Sequence, residues 1–309
     1  MIEDETQRLI RIKPNLEQRA LIYEFTRAFF REWGFFEIET PTRVPAVAPE
    51  AQIVPFESEN WFLSTSPELY MKRLLAAGYD RLFQISRCFR KGERGRWHNP
   101  EFAMLEWYRT GADYMQMVQD TEEMVLTIAS RLGIGSIISY RNQKIDLTPP
   151  WPKITVHDAF LRAAGWNPFT ELDPLRFDID LVSKVIPGFA LDRPTVLHDY
   201  PAAMASLARL KPDKPIVSER AEIFIGGLEL ANAYTELRDA KEQEKRFQLE
   251  IEQIEREQHR KIAMPQQFLQ AVAHLPACSG IALGMDRLVM LFCNADSIDE
   301  VVAFTIDTA

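Results

Sequence analysis

The sequence predicts an α+β fold on three observations: a long helix that runs into a strand, an antiparallel hairpin with a basic tip, and a small-residue strand that opens into a helix. The first occupies 16–33, helical in its apolar spacing and closed by Gly34, after which Phe35-Phe36-Glu37-Ile38-Glu39-Thr40-Pro41 reads as an extended segment ending at proline. A second helix starts at Ser66-Pro67-Glu68, with a serine cap, a first-turn proline and an acid facing the dipole, and Gly78 ends it.

The hairpin spans 81–108. Leu82, Phe83, Ile85 and Phe89 mark one strand and Phe102, Met104 or Leu105, and Trp107 the other, while the tip between them carries Arg90, Lys91, Arg94, Arg96 and His98. Hairpin loops usually run about two to five residues, so a basic tip of about ten suits phosphate binding. Residues 113–132 form a helix with Met117, Met124, Val125 and Ile128 on one face. The break Thr148-Pro149-Pro150-Trp151-Pro152 then opens a stretch of short helices at 153–215, read as an insertion in an otherwise single domain covering 1–309. Residues 222–237 alternate as one inward-facing strand that nevertheless carries Glu229, Asn232 and Glu236, and 240–261 form a charged helix facing solvent. Last, Cys278-Ser279-Gly280-Ile281-Ala282-Leu283-Gly284 is a strand whose small residues let backbone approach a flat base, and Arg287 opens the next helix, where a guanidinium can lie on a purine face.

Composition excludes several classes. With 309 residues and 46% hydrophobic content, the chain can bury roughly 75% of its unfolded surface. Its three cysteines, Cys88, Cys278 and Cys293, have no Cys-x-x-Cys spacing and read as packed, reduced thiols of a cytoplasmic protein. No apolar run reaches membrane-spanning length, and no signal sequence or repeat is legible. His157, His198, His259 and His274 lack ligand spacing, so zinc is not expected. A net charge of −9 supplies no overall field for a polyanion.

The helix–strand–proline entry, the hairpin with Arg90 and His98-Asn99-Pro100-Glu101-Phe102, and the late strand ending in Arg287 occur in the order of the three signatures of class II aminoacyl-tRNA synthetases. The chain resembles the lysyl branch of that class over essentially its whole length, and within it the truncated paralogues that lysylate elongation factor P. The resemblance implies a catalytic domain with an antiparallel sheet flanked by helices and a homodimer. The first signature begins near residue 15, which leaves no room for an N-terminal OB-fold; tRNA is therefore not the expected acceptor.

The resemblance also implies roles. Arg90 and Arg287 match the catalytic arginines, and Arg90, Glu93, His98, Asn99, Phe102, Gly284 and Arg287 the ATP site, with Phe102 and Arg287 sandwiching adenine. Ser66, Glu68, Glu106, Tyr108, Asn232, Tyr234, Glu236 and Ala282 match the amino-acid pocket, and Glu222 and Glu229 the pair that holds Mg2+ against the phosphates. Buried carboxylates need cations, and a pocket with at least two of them implies lysine or (R)-β-lysine as ligand. Two departures stand out. The usual Phe-Arg-x-Glu is Phe89-Arg90-Lys91-Gly92-Glu93 here, displacing the glutamate by one residue, and the middle glycine of the late strand is Ala282, a substitution shared with the elongation-factor ligases that favours β-lysine. A stand-alone lysyl-type tRNA synthetase or related adenylate-forming ligase, and an inactive lysine or nucleotide sensor, are the alternatives; a sensor should have lost Arg90, Arg287 or a magnesium carboxylate, and none is lost.

Overall fold

The computed structural model describes residues 4–309. In chain order the elements are α1 (Glu5–Glu32), β1 (Phe36–Glu37), β2 (Arg43–Val44), β3 (Glu57–Ser58), β4 (Trp61–Leu63), α2 (Glu68–Ala76), β5 (Arg81–Phe89), β6 (Glu101–Thr110) and α3 (Tyr114–Arg131). There follow β7 (Ile137–Tyr140), β8 (Gln143–Asp146), β9 (Lys153–Thr155), α4 (Val156–Ala163), α5 (Pro174–Asp180), β10 (Thr195–Pro201), β11 (Leu210–Lys211), β12 (Lys214–Ile225), β13 (Leu228–Thr235), α6 (Ala240–Gln258), α7 (Gln266–Val272), β14 (Cys278–Gly284) and α8 (Met285–Cys293). The chain forms two compact units: one holds residues 1–110, 238–276 and 283–309, the other residues 111–237 and 277–282.

In the first unit, β1 pairs parallel with β5, and β5 pairs antiparallel with β6 from Arg81 opposite Arg109 to Phe89 opposite Glu101. Helix α1 begins well before residue 16 and continues through Pro14, because packing outweighs the local propensity that marked a later start. It stops at Trp33, and Gly34 supplies the positive φ of +73° that other residues adopt at a cost. Phe30 joins this helix to the hairpin, stacking on Phe83 at 4.7 Å and tilting against Trp107 at 5.2 Å. Asp286, in the first turn of α8, accepts the Ala103 amide of β6 at 2.8 Å and pairs with Arg19 of α1 at 2.7 Å. One buried carboxylate thus joins the entry helix, the hairpin and the late helix. On α6 the buried stripe is Phe247, Ile251 and Ile254 at helical spacing, and Leu249 faces outward.

In the second unit the strand order is β14-β13-β12-β10-β9, with β11 also on β12; β9 and β10 are parallel, while β10 with β12, β11 with β12 and β12 with β13 are antiparallel. The expectation of one strand over 222–237 is corrected here: the segment is a hairpin, β12 and β13, turning at Gly226 and Gly227. Both have positive φ, and a Cβ on Gly226 would lie 2.7 Å from the Tyr140 ring. Two glycines in succession between apolar runs are the hairpin signal that a reading by alternation alone passes over. Within 153–215 the short helices run to Gly188, Thr195–Pro201 is a strand, and a single 3-10 turn follows at Ala202–Met204. These helices bury Val156, Phe160, Trp166 and Phe177 against Leu197, Tyr200 and Phe224 of the sheet. Among the described residues no helix is long and apolar enough to cross a membrane.

Replacing Asp286 by alanine strands Arg19, whose side chain is only 14% exposed, and orphans a strand amide. A loss of about 3–5 kcal/mol in unfolding free energy is expected, read by chemical denaturation.

Candidate active site

In the first unit, the hairpin tip and the first turn of α8 assemble the residues expected at a nucleotide. Arg90 leaves β5 with its guanidinium 5.2 Å from the Phe102 ring centre, its Nη1 3.6 Å from Glu93 Oε1 and its Nε donating to the Thr65 carbonyl at 3.4 Å. The displaced Glu93 therefore still reaches Arg90, since the extra residue sits in a turn where Gly92 takes φ +85°. Arg287 donates to His98 Nε2 at 2.7 Å, a bond that requires the neutral imidazole. Gly284 caps α8 beside it; an added Cβ would lie 3.6 Å from Arg287 Cδ. Asn99 differs from its neighbours. It is buried, and its amide donates to the Glu101 carbonyl and accepts from the Ile306 amide, so it braces the base of the tip.

The same unit gathers Ser66, Glu68, Glu106 and Tyr108. Pro67, and not the expected Ser66, takes the N-cap position of α2; Ser66 Oγ, one residue ahead, accepts from the Glu68 amide at 3.0 Å and donates to Glu106 Oε1 at 2.6 Å, while Tyr108 donates to Oε2 at 2.8 Å. Burial pushes the Glu106 carboxyl up to about 7, and the Glu68 charge adds to this against the opposing Ser66 and Tyr108 hydrogen bonds and Lys72. Lys72, one turn beyond Glu68, pairs with it at 2.5 Å. A pocket lined by Ala46, Val47, Ala48, Ser64, Ser66 and Glu68 opens onto this cluster.

The second unit carries Glu222, Glu229, Asn232, Tyr234, Glu236 and Ala282. Opposed residues of a pair share a face, so Arg220 with Tyr234, and Glu222 with Asn232, point the same way. Glu229 stands at odd spacing from Asn232 and should point the opposite way. A register shift corrects this: Ile223 lies opposite Ala231 but Phe224 opposite Glu229, so Leu230 is the extra residue of a bulge and Glu229 joins the Glu222 face. Glu236, just past β13, is buried, with its amide bonded to the Cys278 carbonyl at 3.0 Å, and Ala282 is half-buried on β14.

Sequence reasoning missed the residue at the centre of this face. Arg220 donates to Glu222 Oε1 at 2.7 Å, to the Met204 carbonyl at 2.7 Å and to Asn232 Oδ1 at 3.3 Å, and lies 4.5 Å from the Tyr200 ring centre and 5.6 Å from that of Tyr234. Its two-residue spacing from Glu222 on a strand was the available signal. Burial opposes the guanidinium charge, but Tyr234, Glu222 and Tyr200 hold its pKa up. Burial also raises the Glu222 pKa, with Arg220 opposing and Glu229 adding to the rise.

Tyr200 reaches Arg220 because alternation fails a second time. Asp199 has φ +64°, which turns Tyr200 onto the face of Leu197. Tyr114 and Lys211 anchor that conformation by donating to Asp199 at 2.6 and 2.7 Å, with His198 Nδ1 at 3.1 Å; against burial, these partners hold its carboxyl well below the usual range.

Among the described residues no three His, Cys, Asp or Glu side chains converge as a metal cluster. Magnesium usually takes one or two carboxylates and completes its shell with water and substrate phosphates, so Glu222 and Glu229, on one face and with Glu229 raising the Glu222 pKa, fit such an ion. Burial pushes the Cys88 and Cys293 thiols up to about 12, which suits inert packing.

The model of the family of class II tRNA synthetases (D, K and N) matches residues 6–308. An elongation factor P--(R)-beta-lysine ligase of Klebsiella pneumoniae (strain 342) is 38% identical over 322 residues, covering 96% of each chain. The protein of that name from Salmonella typhi is 37% identical over 318 residues with the same coverage.

Arg220→Ala would leave Glu222 buried without its guanidinium partner. About 3–5 kcal/mol of stability should be lost, measured by chemical denaturation.

Proposed function

Since the chain belongs to the family of class II tRNA synthetases (D, K and N), whose model spans 6–308, we propose that it activates (R)-β-lysine or lysine with ATP and joins it to the ε-amino group of a lysine on elongation factor P. The observation that carries this reading is the match over 96% of both chains to ligases named for that reaction. The Ser66–Glu106–Tyr108 cluster supports a cationic donor, because a buried carboxylate held by two hydroxyls suits an ammonium and would be left unpaired by a neutral amino acid. Ala282, where the lysyl synthetases resembled have glycine, favours (R)-β-lysine as the donor.

The chemistry follows from charge. The donor carboxylate is ionised at pH 7 and needs no base; it attacks the α-phosphorus in line, a new O–P bond forms and pyrophosphate leaves. Arg90 holds the carboxylate and α-phosphate, Phe102 and Arg287 hold the adenine, and His98 meets the terminal phosphate. Glu222 and Glu229 would hold Mg2+, which when bound neutralises charge on the β side. Asn232, Tyr234 and Glu236 position the donor side chain. The acceptor amine then attacks the adenylate carbonyl, the C–N bond forms as the bond to AMP breaks, and the amine loses a proton.

We place the reaction in the cytoplasm and the enzyme in a homodimer. Phe36 at 61% exposure, stacked on the half-exposed Tyr79, lies with Leu21 and Ile10 among the large apolar side chains that the first unit leaves in water. Phe36→Asp is expected to give a monomer by sedimentation.

Pyrophosphate exchange should proceed with (R)-β-lysine and more weakly with α-lysine, and radiolabelled donor should appear on elongation factor P. Label on tRNA instead would replace the acceptor with the synthetase's own. Absence of exchange with either donor would leave a sensor.

A further inference from the structure

A lysine buried beside a pocket for a lysine-like ligand needs an explanation. Lys72 is only 3% exposed at its side chain, and Glu68, its neighbour one turn back on α2, is 13% exposed. An ammonium there repels the ligand's own ammonium, and burying it is costly unless it is paired. Glu68 lines the pocket, and a second carboxylate, Glu106, is connected to it through Ser66, which accepts from the Glu68 amide and donates to Glu106. Two buried carboxylates with a shared hydrogen-bonding partner and no cation would take up a proton in place of a ligand.

We propose that Lys72 is a positioning residue that cancels the charge of Glu68 and fixes its carboxylate, leaving the cluster of Ser66, Glu68, Glu106 and Tyr108 one net negative charge, on Glu106, for one ammonium of the donor amino acid. This rests on the reading that Ser66, Glu68, Glu106 and Tyr108 bind a donor amino group. The groups that face Glu106 are Glu68 and Lys72 from α2, Tyr108 from its own strand, and Cys88 from β5, with Arg90 farther along that strand near Cys88; Gln84, opposite Glu106 on β5, is neutral. Of these, Glu68 raises and Lys72 lowers the Glu106 pKa, so the two oppose each other at the residue that meets the ligand.

The signs are separable. Binding needs Glu106 ionised, so kcat/KM for the donor is lost as pH falls through the free enzyme's Glu106 pKa, near 7 in the native chain. Lys72→Met removes the cation and should move that acidic limb upward by about 1 pH unit or more. The KM for the donor should rise at pH 7 and recover at higher pH, with the KM for ATP unchanged. Glu68→Gln, nearly isosteric, removes the opposing anion and should move the limb downward. The double variant Glu68→Gln/Lys72→Met restores the net charge and should return the limb to its native position.

The experiment is the pH profile of pyrophosphate exchange with (R)-β-lysine and with α-lysine for all four proteins. Opposite displacements that cancel in the double variant support the proposal. Superimposable profiles, displacements in the same direction, or equal losses in the KM for ATP overturn it while leaving the ligase reading intact. Should Lys72→Met alone not fold, a downward shift in Glu68→Gln that the double variant reverses supports the proposal, and any other pattern in those two proteins overturns it. Absence of exchange by the native enzyme overturns both.

Discussion

The carboxylate of Asp286 is the constraint on which the junction of α1, the β5–β6 hairpin and α8 in the first unit depends. It lies between a strand amide and an arginine, 2.8 Å from the Ala103 nitrogen and 2.7 Å from Arg19. Those partners flank the residues that matter: Ala103 follows Phe102, and Asp286 precedes Arg287. A shift of the late helix against the hairpin would have to break a buried charge pair, which is costly because neither group can find water in its place. The rigidity of the site here comes from one ion that cannot move cheaply. The aromatic contacts of Phe30 with Phe83 and Trp107 reinforce the same junction through dispersion and area.

The second unit solves a different problem. Its functional face is a sheet, where side chains alternate strictly, yet the residues it gathers are not at even spacing. Two departures supply the offset: the extra residue Leu230 moves Glu229 to the Glu222 face, and the left-handed Asp199 turns Tyr200 toward Arg220. Asp199 can remain left-handed because Tyr114, Lys211 and His198 hold its carboxylate. The helices after β9 bury Phe177 and Phe160 against Tyr200 and Phe224, so their packing supports the ring on which Arg220 lies. Those helices thus support the ring beside the guanidinium that pairs with Glu222.

Both units treat charge in a common way. Each presents carboxylates suited to a cation, and each holds a buried basic residue against one of them: Lys72 on Glu68 and Arg220 on Glu222. An unbalanced set of buried anions would titrate before it bound. In each unit a second carboxylate lies close enough for its charge to be felt: Glu68 raises the pKa of Glu106, and Glu229 that of Glu222.

By itself the sequence determined the elements with strong local signals. The Gly34 stop, the Asp113 cap of α3 and the small-residue strand opening at Arg287 are each set by backbone chemistry within a few residues. Spacing also placed Arg90, Glu93, His98 and Phe102 on one hairpin tip, because a long loop between paired strands has nowhere else to go. Tertiary structure decided the rest. Whether α1 extends past Pro14, whether 222–237 is one strand or two, and on which face Glu229 lies are settled by packing and by a single extra residue, neither of which leaves a periodic trace. Lys72 was illegible, and Arg220 legible only through its spacing from Glu222, for a deeper reason: a buried cation is recognisable only from the anion it faces, and burial is a property of the folded chain.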